Sequence, residues 1–302
     1  MSQNFYSHQG ANIRKTWFFM AGFFLLVMAL GWFFSYVYNN PGILYIAVFF
    51  AIFMNIFSYW FSDKIVLKMH KARPVTRESH FDLYTVTENL SIAAGLPMPR
   101  LYIIDEAAPN AFATGRNKDH AVVCVTTGLL SILDRSELEG VIAHELSHIG
   151  NKDMLLSTIV VVMAGFVTLL SDFFLRSARW GGGRENDSRG GQLQGILFIV
   201  GIVLAILAPI IATLIQLAIS RKREFLADAS GALLTRYPEG LANALKKING
   251  TSVKMKTANH ATAHLFISNP FGPDGKGTSF MQKIFMTHPP VEERVTALLG
   301  NG

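Results

Sequence analysis

The sequence is poor in charged residues and has almost no cysteine. Only 16% of its 302 residues are Asp, Glu, Lys or Arg, whereas 50% are hydrophobic. The single cysteine, Cys124, excludes an intramolecular disulfide, and its apolar surroundings predict a buried side chain. The net charge of +6 comes without a basic stripe interleaved with aromatics, so we do not expect nucleic-acid binding. A mean hydropathy of +0.31 indicates a membrane protein, with the lipid bilayer as a partner.

Four apolar runs account for this composition, and each is long enough to cross a bilayer core. They cover residues 17–36, 43–61, 154–171 and 196–219. Basic residues flank the first pair of runs on both sides and follow the fourth run directly. The positive-inside rule therefore predicts two transmembrane hairpins with both termini, and the segments between the hairpins, in the cytoplasm.

The segment between the third and fourth runs conflicts with this topology. Residues 176–193 are rich in glycine and arginine, which predicts a flexible loop. Four arginines on the outer side of a membrane are unexpected, however. The alternative is a second hairpin that is shallower or lies along the membrane. In either case its two ends share a side.

One short motif indicates chemistry. His144, Glu145 and His148 form the pattern His-Glu-x-x-His in a stretch with helical apolar spacing, and Ser136 with Glu139 predicts a capping box where this helix begins. Residues four apart lie on one face of a helix, so both imidazoles can bind one metal ion. Glu145 beside them then serves as a general base. A helix that carries two histidines by chance is the alternative.

A catalytic zinc site needs a third protein ligand and one open position. Glu224 is the best candidate, because two membrane crossings separate it from the motif helix and return the chain to the same side. Asp228 lies four residues later on the same helix face and suits a carboxylate that holds the far nitrogen of a ligand histidine. From spacing alone, a solvated acid pair beside basic residues is an equally good interpretation.

The order of these features resembles the HtpX-type membrane metalloproteases, zinc endopeptidases of the gluzincin group that are related to the type I CAAX prenyl proteases. The resemblance covers nearly the whole chain. It rests on four markers in order, namely Asn110-Ala111-Phe112-Ala113-Thr114-Gly115, His144-Glu145-Leu146-Ser147-His148, Arg223-Glu224-Phe225-Leu226-Ala227-Asp228, and His288-Pro289-Pro290 with Arg294.

The resemblance implies one Zn²⁺ ion per chain and a role for each marker. The implied roles are zinc ligands at His144, His148 and Glu224, general base at Glu145, a carboxylate behind a ligand at Asp228, oxyanion stabilisation at His288, and support at Arg294. The implied substrate-binding strand consists of Asn110, Ala111, Phe112 and Ala113. An extended peptide would pair with that strand through backbone hydrogen bonds, with little sequence preference.

Together these features predict a mainly α membrane protein, with four transmembrane helices and an α+β zincin-like catalytic domain that contains a small antiparallel sheet. A strand at residues 101–104 and a strand pair within residues 110–127 predict that sheet. The expected parts are an N-terminal tail and hairpin (1–61), a first catalytic part (62–153), a second hairpin (154–219) and a second catalytic part (220–302).

The predicted function is zinc-dependent cleavage of misfolded or membrane proteins at the cytoplasmic face of a bacterial plasma (inner) membrane, for quality control under stress. That biological role comes from the resemblance. The alternatives are a prenyl-protein CAAX endopeptidase and a non-catalytic zinc-bound scaffold or metal transporter. A transporter is disfavoured because the apolar runs contain no histidine. His260 and His264 form a second pair at helical spacing, which lacks an adjacent glutamate and indicates cleft or surface residues.

Overall fold

The described part of the chain is mostly helical and contains one four-stranded sheet. The structure, a computed structural model, describes residues 5–180, 199–204, 221–257, 262–272 and 289–300. In chain order the elements are α1 (Phe5–Val37), α2 (Gly42–Met69), β1 (Arg73–Pro74), α3 (Phe81–Ala93), β2 (Arg100–Ile104), β3 (Ala111–Gly115), β4 (Ala121–Thr126), α4 (Thr127–Ile132), α5 (Arg135–Gly150), α6 (Asp153–Trp180), α7 (Arg221–Thr235), α8 (Pro238–Asn249) and α9 (Val291–Leu299).

Three of the described helices are long and apolar enough to cross a membrane, with spans at Ile13–Val37, Gly42–Met69 and Asp153–Asp172. α1 and α2 form a hairpin in which the backbones approach closely, since a Cβ atom on Gly31 would lie only 2.3 Å from Ala47 Cβ. Small residues allow this kind of contact between membrane helices. α6 packs against both members of the hairpin.

The fourth apolar run lies mostly outside the described residues. Only residues 199–204 of it are described, and they are helical. The flexible loop predicted at 176–193 starts too early, because α6 continues to Trp180. The residues up to that point include good helix formers, whereas the run of glycines begins only afterwards. The rest of the predicted loop lies outside the described residues.

The sheet is mixed, which corrects the prediction of an antiparallel sheet. Its strand order is β1-β2-β4-β3. β3 and β4 form the predicted antiparallel hairpin and β1 pairs antiparallel with β2, but β2 runs parallel to β4. β4 is buried at every position and takes a central place, so β2 pairs on the side that the hairpin leaves open. Hairpin spacing cannot reveal this long-range pairing. β3 is consequently an edge strand.

The motif helix α5 begins earlier than the sequence pattern predicts. Its N-cap is Asp134, whose side chain accepts a hydrogen bond from the backbone N–H of Glu137, while the Glu137 carboxylate accepts one from Asp134 N–H. The prediction of a capping box from Ser136 to Glu139 is therefore wrong. Ser136 Oγ instead donates to the Asp134 carboxylate at 2.8 Å. A long-range contact favours this register, since the buried Glu137 also pairs with Lys247 of α8 at 2.7 Å.

Helix α5 lies between the sheet and helices α7 and α8, and two glycines set how close those helices come. A Cβ atom on Gly140 would lie 2.5 Å from Leu241 N of α8, and one on Gly231 of α7 would lie 3.0 Å from His144 N. Only a residue without Cβ fits such close backbone approaches. The contact at Gly231 brings α7, with Glu224, against the motif histidines.

We expect Gly231→Ala to push α7 away from α5, because the new methyl group meets backbone atoms of Ala143 and His144. Overpacking of this kind costs roughly 1–3 kcal/mol of stability. Thermal unfolding in detergent should therefore occur at a lower temperature, and metal should bind more weakly. Gly165→Ala is the matched control, since nothing lies within 4 Å of its added Cβ. Equal effects of both substitutions would contradict the role given to this contact.

Candidate active site

Helix α5 presents the motif side chains in a buried cleft. His144 and Glu145 are each 1% exposed, and the side chain of His148 is 17% exposed. The two histidines lie on one helix face, with their Nε2 atoms 3.1 Å apart. Two imidazole nitrogens this close, both facing one cleft, can bind a single ion.

Glu224 of α7 joins the two histidines. Its Oε1 lies 3.6 Å from His148 Nε2, and its Oε2 lies 3.9 Å from His144 Nε2. Metal–ligand bonds of about 2.0–2.1 Å in tetrahedral geometry separate ligand atoms by about 3.3 Å. The observed separations are close to that value, so the three side chains fit a metal ion of this size. The structure thus brings the predicted ligand set together, within 4.8 Å.

A chain of buried charges supports the first histidine. His144 Nδ1 lies 2.9 Å from Asp228 Oδ1. Asp228 in turn accepts two hydrogen bonds from the Arg294 guanidinium, from Nη2 at 2.6 Å and from Nε at 2.8 Å. Arg294 Nη1 also lies 3.7 Å from Glu224 Oε2. A carboxylate that holds the far nitrogen of a ligand imidazole fixes the direction of the ring.

A second carboxylate, Asp153, supports the other histidine, and the sequence analysis missed it. Its Oδ2 lies 3.2 Å from His148 Nδ1, and its Oδ1 accepts a hydrogen bond from Arg223 Nη1 at 3.1 Å. Asp153 is five residues after His148, so helical spacing does not place it near the ring. The chain turns back at Lys152, which has a φ of 57°. The one hint in the sequence is that an acidic residue, Asp153, follows the ligand His148 closely, and that a basic residue, Arg223, directly precedes the ligand Glu224.

Burial and neighbouring charges shift the pKa values of the motif residues. Burial raises the pKa of Glu145 to about 7, although the backbone N–H of Ala113 binds its carboxylate. Burial lowers the pKa of His144. Burial acts on His148 in the same direction, but its hydrogen bond to Asp153 and the charge of Glu224 outweigh this and raise its pKa to about 9.

The other predicted site residues are only partly described. Ala113 of β3 lines the cleft next to Glu145, while the Asn110 side chain binds the backbone of Ser268. His288 and His260 lie outside the described residues. His264 is buried at the cleft wall and its Nε2 lies 3.3 Å from the carbonyl oxygen of Ser157. Cys124 is fully buried, as predicted, and burial raises the pKa of its thiol.

Comparison with known proteins assigns this site to a family. Residues 78–301 match peptidase family M48. The chain belongs to this family. A relative named Protease HtpX homolog, from Caldanaerobacter subterraneus subsp. tengcongensis, is 47% identical over 296 residues, 97% of this chain and 96% of the relative. Another of the same name, from Pyrococcus furiosus, is 48% identical over 288 residues, 94% of each chain. This M48 member is therefore a membrane metallopeptidase, as the resemblance implied.

The fold is also found in a solved structure. The crystal structure of S. mikatae Ste24p matches with a TM-score of 0.50 and 18% identity, over 92% of this chain. This M48 chain spans 62% of the length of that chain. At this level of identity the similarity concerns the fold, and it agrees with a helical protein built around a small sheet.

We expect metal binding to displace the proton on His148. A ligand imidazole must be neutral to bind a metal ion, and a pKa of about 9 means that His148 is protonated at about pH 7.5 in the metal-free protein. Zn²⁺ binding should then release about one proton, and Zn²⁺ affinity should rise as the pH rises towards 9. Calorimetry in buffers of different ionisation enthalpy measures this release. A binding enthalpy that is independent of the buffer would contradict the prediction.

Asp153→Asn should weaken metal binding, because the amide loses the negative charge that holds both His148 and Arg223. Loss of such a supporting carboxylate typically costs about 10–100-fold in metal affinity. Competition with a chromophoric chelator measures this affinity. Asp172→Asn is the matched control, since Asp172 is an exposed residue further along the same helix. Unchanged affinity in the Asp153 variant would show that the contact does not position the ligand.

Proposed function

We propose that this M48 peptidase is a zinc-dependent endopeptidase that cleaves misfolded or membrane polypeptides at the cytoplasmic face of a bacterial plasma membrane. The observation that carries the proposal is the buried group of His144, His148 and Glu224, with a carboxylate beside it. Two nitrogen ligands and one oxygen ligand at tetrahedral separations suit zinc. A cleft beside membrane helices suits polypeptide substrates that are attached to a bilayer.

Zinc held by His144, His148 and Glu224 would supply Lewis acidity, which would activate water and polarise a peptide carbonyl. We propose that Glu145 takes the proton from that water and later donates it to the leaving amine. Its raised pKa of about 7 belongs to the metal-free site, and a nearby cation lowers it. Asp228 and Asp153 fix the orientation of the His144 and His148 rings, respectively.

Two further roles rest on the resemblance. We propose that His288 donates a hydrogen bond to the oxyanion that forms on the carbonyl oxygen. We also propose that the Asn110–Ala113 segment pairs with the substrate backbone. The position of Ala113 against Glu145 supports the second role, since a peptide along β3 would pass directly over the general base.

We propose a cytoplasmic active site and a fourth transmembrane helix within residues 196–219. The basic side chains that follow α2 and that begin α7 support this orientation. The turn after β3 supports a site close to the membrane surface, because the Arg116 guanidinium lies 4.2 Å above the ring of Trp60 in the α2 span. Tryptophan and arginine are common at the boundary between lipid and water.

The CAAX endopeptidase and scaffold alternatives have less support. The relatives that cover 97% and 94% of this chain are named Protease HtpX homolog. A scaffold has no need for a buried carboxylate such as Glu145 next to its metal ligands, because burying an acid is costly. A prenylated peptide that the metal-loaded protein leaves uncut would discard the CAAX alternative.

Glu145→Gln tests the proposal, because it keeps the shape of the side chain and removes the base. We expect casein cleavage by the zinc-loaded protein in detergent to fall by about 10²–10⁴-fold, with zinc affinity retained. Glu139→Gln is the matched control, since Glu139 lies on the exposed face of the same helix. Equal cleavage by the wild type and the Glu145 variant would refute the proposed function.

A further inference from the structure

One segment of the chain forms part of the wall of the active-site cleft. Residues 262–268 are here called the strap, and residues 264–267 line the same cleft as the motif side chains and Glu224. The cavity left between the strap and the ligands measures about 30 Å³. That volume holds one or two water molecules. A substrate strand that pairs with β3 at Ala111 would compete with the strap for this place.

The strap lies along the edge of β3 that faces away from β4. Asn110 C=O accepts a hydrogen bond from Thr126 N–H at 3.0 Å, so the backbone of residue 110 faces the hairpin partner. Backbone groups of a strand alternate in direction, and those of Ala111 and Ala113 therefore face the cleft. Outward-facing groups at a sheet edge are the ones that an added peptide strand uses.

The strap already uses part of that edge. Ile267 N–H donates to Ala111 C=O at 2.9 Å. The Asn110 side chain binds both backbone groups of the next residue, because its Nδ2 donates to Ser268 C=O at 2.9 Å and its Oδ1 accepts from Ser268 N–H at 3.2 Å. On the strap, these contacts involve only backbone groups and no side chain. A sheet edge binds peptides of varied sequence in the same way.

Two further contacts hold the strap in place. The ring of Phe266 is fully buried and lies 5.1 Å from the ring of Phe112 and 5.2 Å from that of His70. Arg294 Nη1 donates to Ile267 C=O at 3.1 Å. Arg294 is the same residue that supports Asp228 behind the metal ligands, so the strap and the metal site share a partner.

We propose that the strap is an autoinhibitory segment, which occupies in cis the edge of β3 that a substrate must pair with. This proposal rests on the proposed function, because it concerns the access of substrates to the same active site. A substrate N–H and Ile267 N–H compete for Ala111 C=O, and the cleft opens to a peptide only when the strap leaves that position. The described structure is then the closed form of the enzyme, and proteolysis depends on the release of residues 264–268.

Cross-linking the strap tests this proposal. Thr251 and Ser268 line the same small surface cavity, and the Asn110 contacts use only the backbone of Ser268. In the full-length variant Thr251→Cys/Ser268→Cys, a short, reducible bis-maleimide would tie the strap to the end of α8. Cys124 is fully buried and shielded from the reagent. We expect the linked, zinc-loaded protein to cleave casein at least about tenfold more slowly and to recover its rate on reduction. The reason is that a substrate strand can add only to an edge that the strap has left.

The outcomes separate the strap from the proposed function. The single variants Thr251→Cys and Ser268→Cys, treated with the same reagent, serve as controls. If the linked and the reduced protein cleave casein equally fast, the strap is a fixed wall and the proposal is wrong, while the protease function stands. If the reduced protein and the wild type cleave nothing, the proposed function fails and the strap proposal fails with it.

A loosened strap should have the opposite effect. Phe266→Ala removes the buried anchor, so we expect faster amide exchange at Ile267 and faster cleavage of extended peptides, by at least a few-fold. Leu83→Ala controls for general destabilisation, since Leu83 is 2% exposed in a hydrophobic cluster that does not include Phe266. Slower cleavage by a Phe266 variant that remains folded and binds zinc would contradict autoinhibition.

Discussion

The buried ion pair between Arg294 and Asp228 holds the catalytic domain together at its centre. Arg294 is 1% exposed, and a buried guanidinium is stable only with carboxylates and hydrogen-bond acceptors around it. Asp228 provides the carboxylate for Arg294 and also contacts His144. The pair therefore joins α9, α7 and α5, which carry the supporting arginine, one ligand and the motif. The positive charge also offsets Glu224 and Glu145, so several acids can share one buried site.

A second buried pair performs a similar task at the membrane side of the site. Asp153 begins α6, where the chain enters the third apolar segment, and Arg223 lies in α7, where the chain returns to the catalytic domain. Their contact at 3.1 Å brings the start of α6 and the start of α7 together beside His148. His148 and Glu224 are thus held at a fixed separation, although 75 residues of sequence lie between them.

Local patterns predicted much of the secondary structure and the ligand set. Helical spacing identified the motif helix, apolar length identified three described membrane helices, and β-branched residues identified the β3–β4 hairpin. The errors came from long-range contacts. The cap of α5 is Asp134, and its partner Glu137 also pairs with the distant Lys247. β2 pairs parallel with β4, on the side of β4 that the hairpin leaves open. Asp153 was missed because the backbone turns at Lys152, where helical spacing ends.

The sequence by itself determined which side chains are available for chemistry. Two histidines one turn apart share a helix face wherever that helix lies. An apolar run of membrane length predicts a transmembrane helix wherever it lies in the sequence. Only the tertiary structure decided what reaches those side chains. Glu224, Arg294 and the strap come to the cleft from distant parts of the chain, through close backbone contacts such as Gly231 and buried charge pairs. Such contacts depend on packing in three dimensions, and no local spacing encodes them.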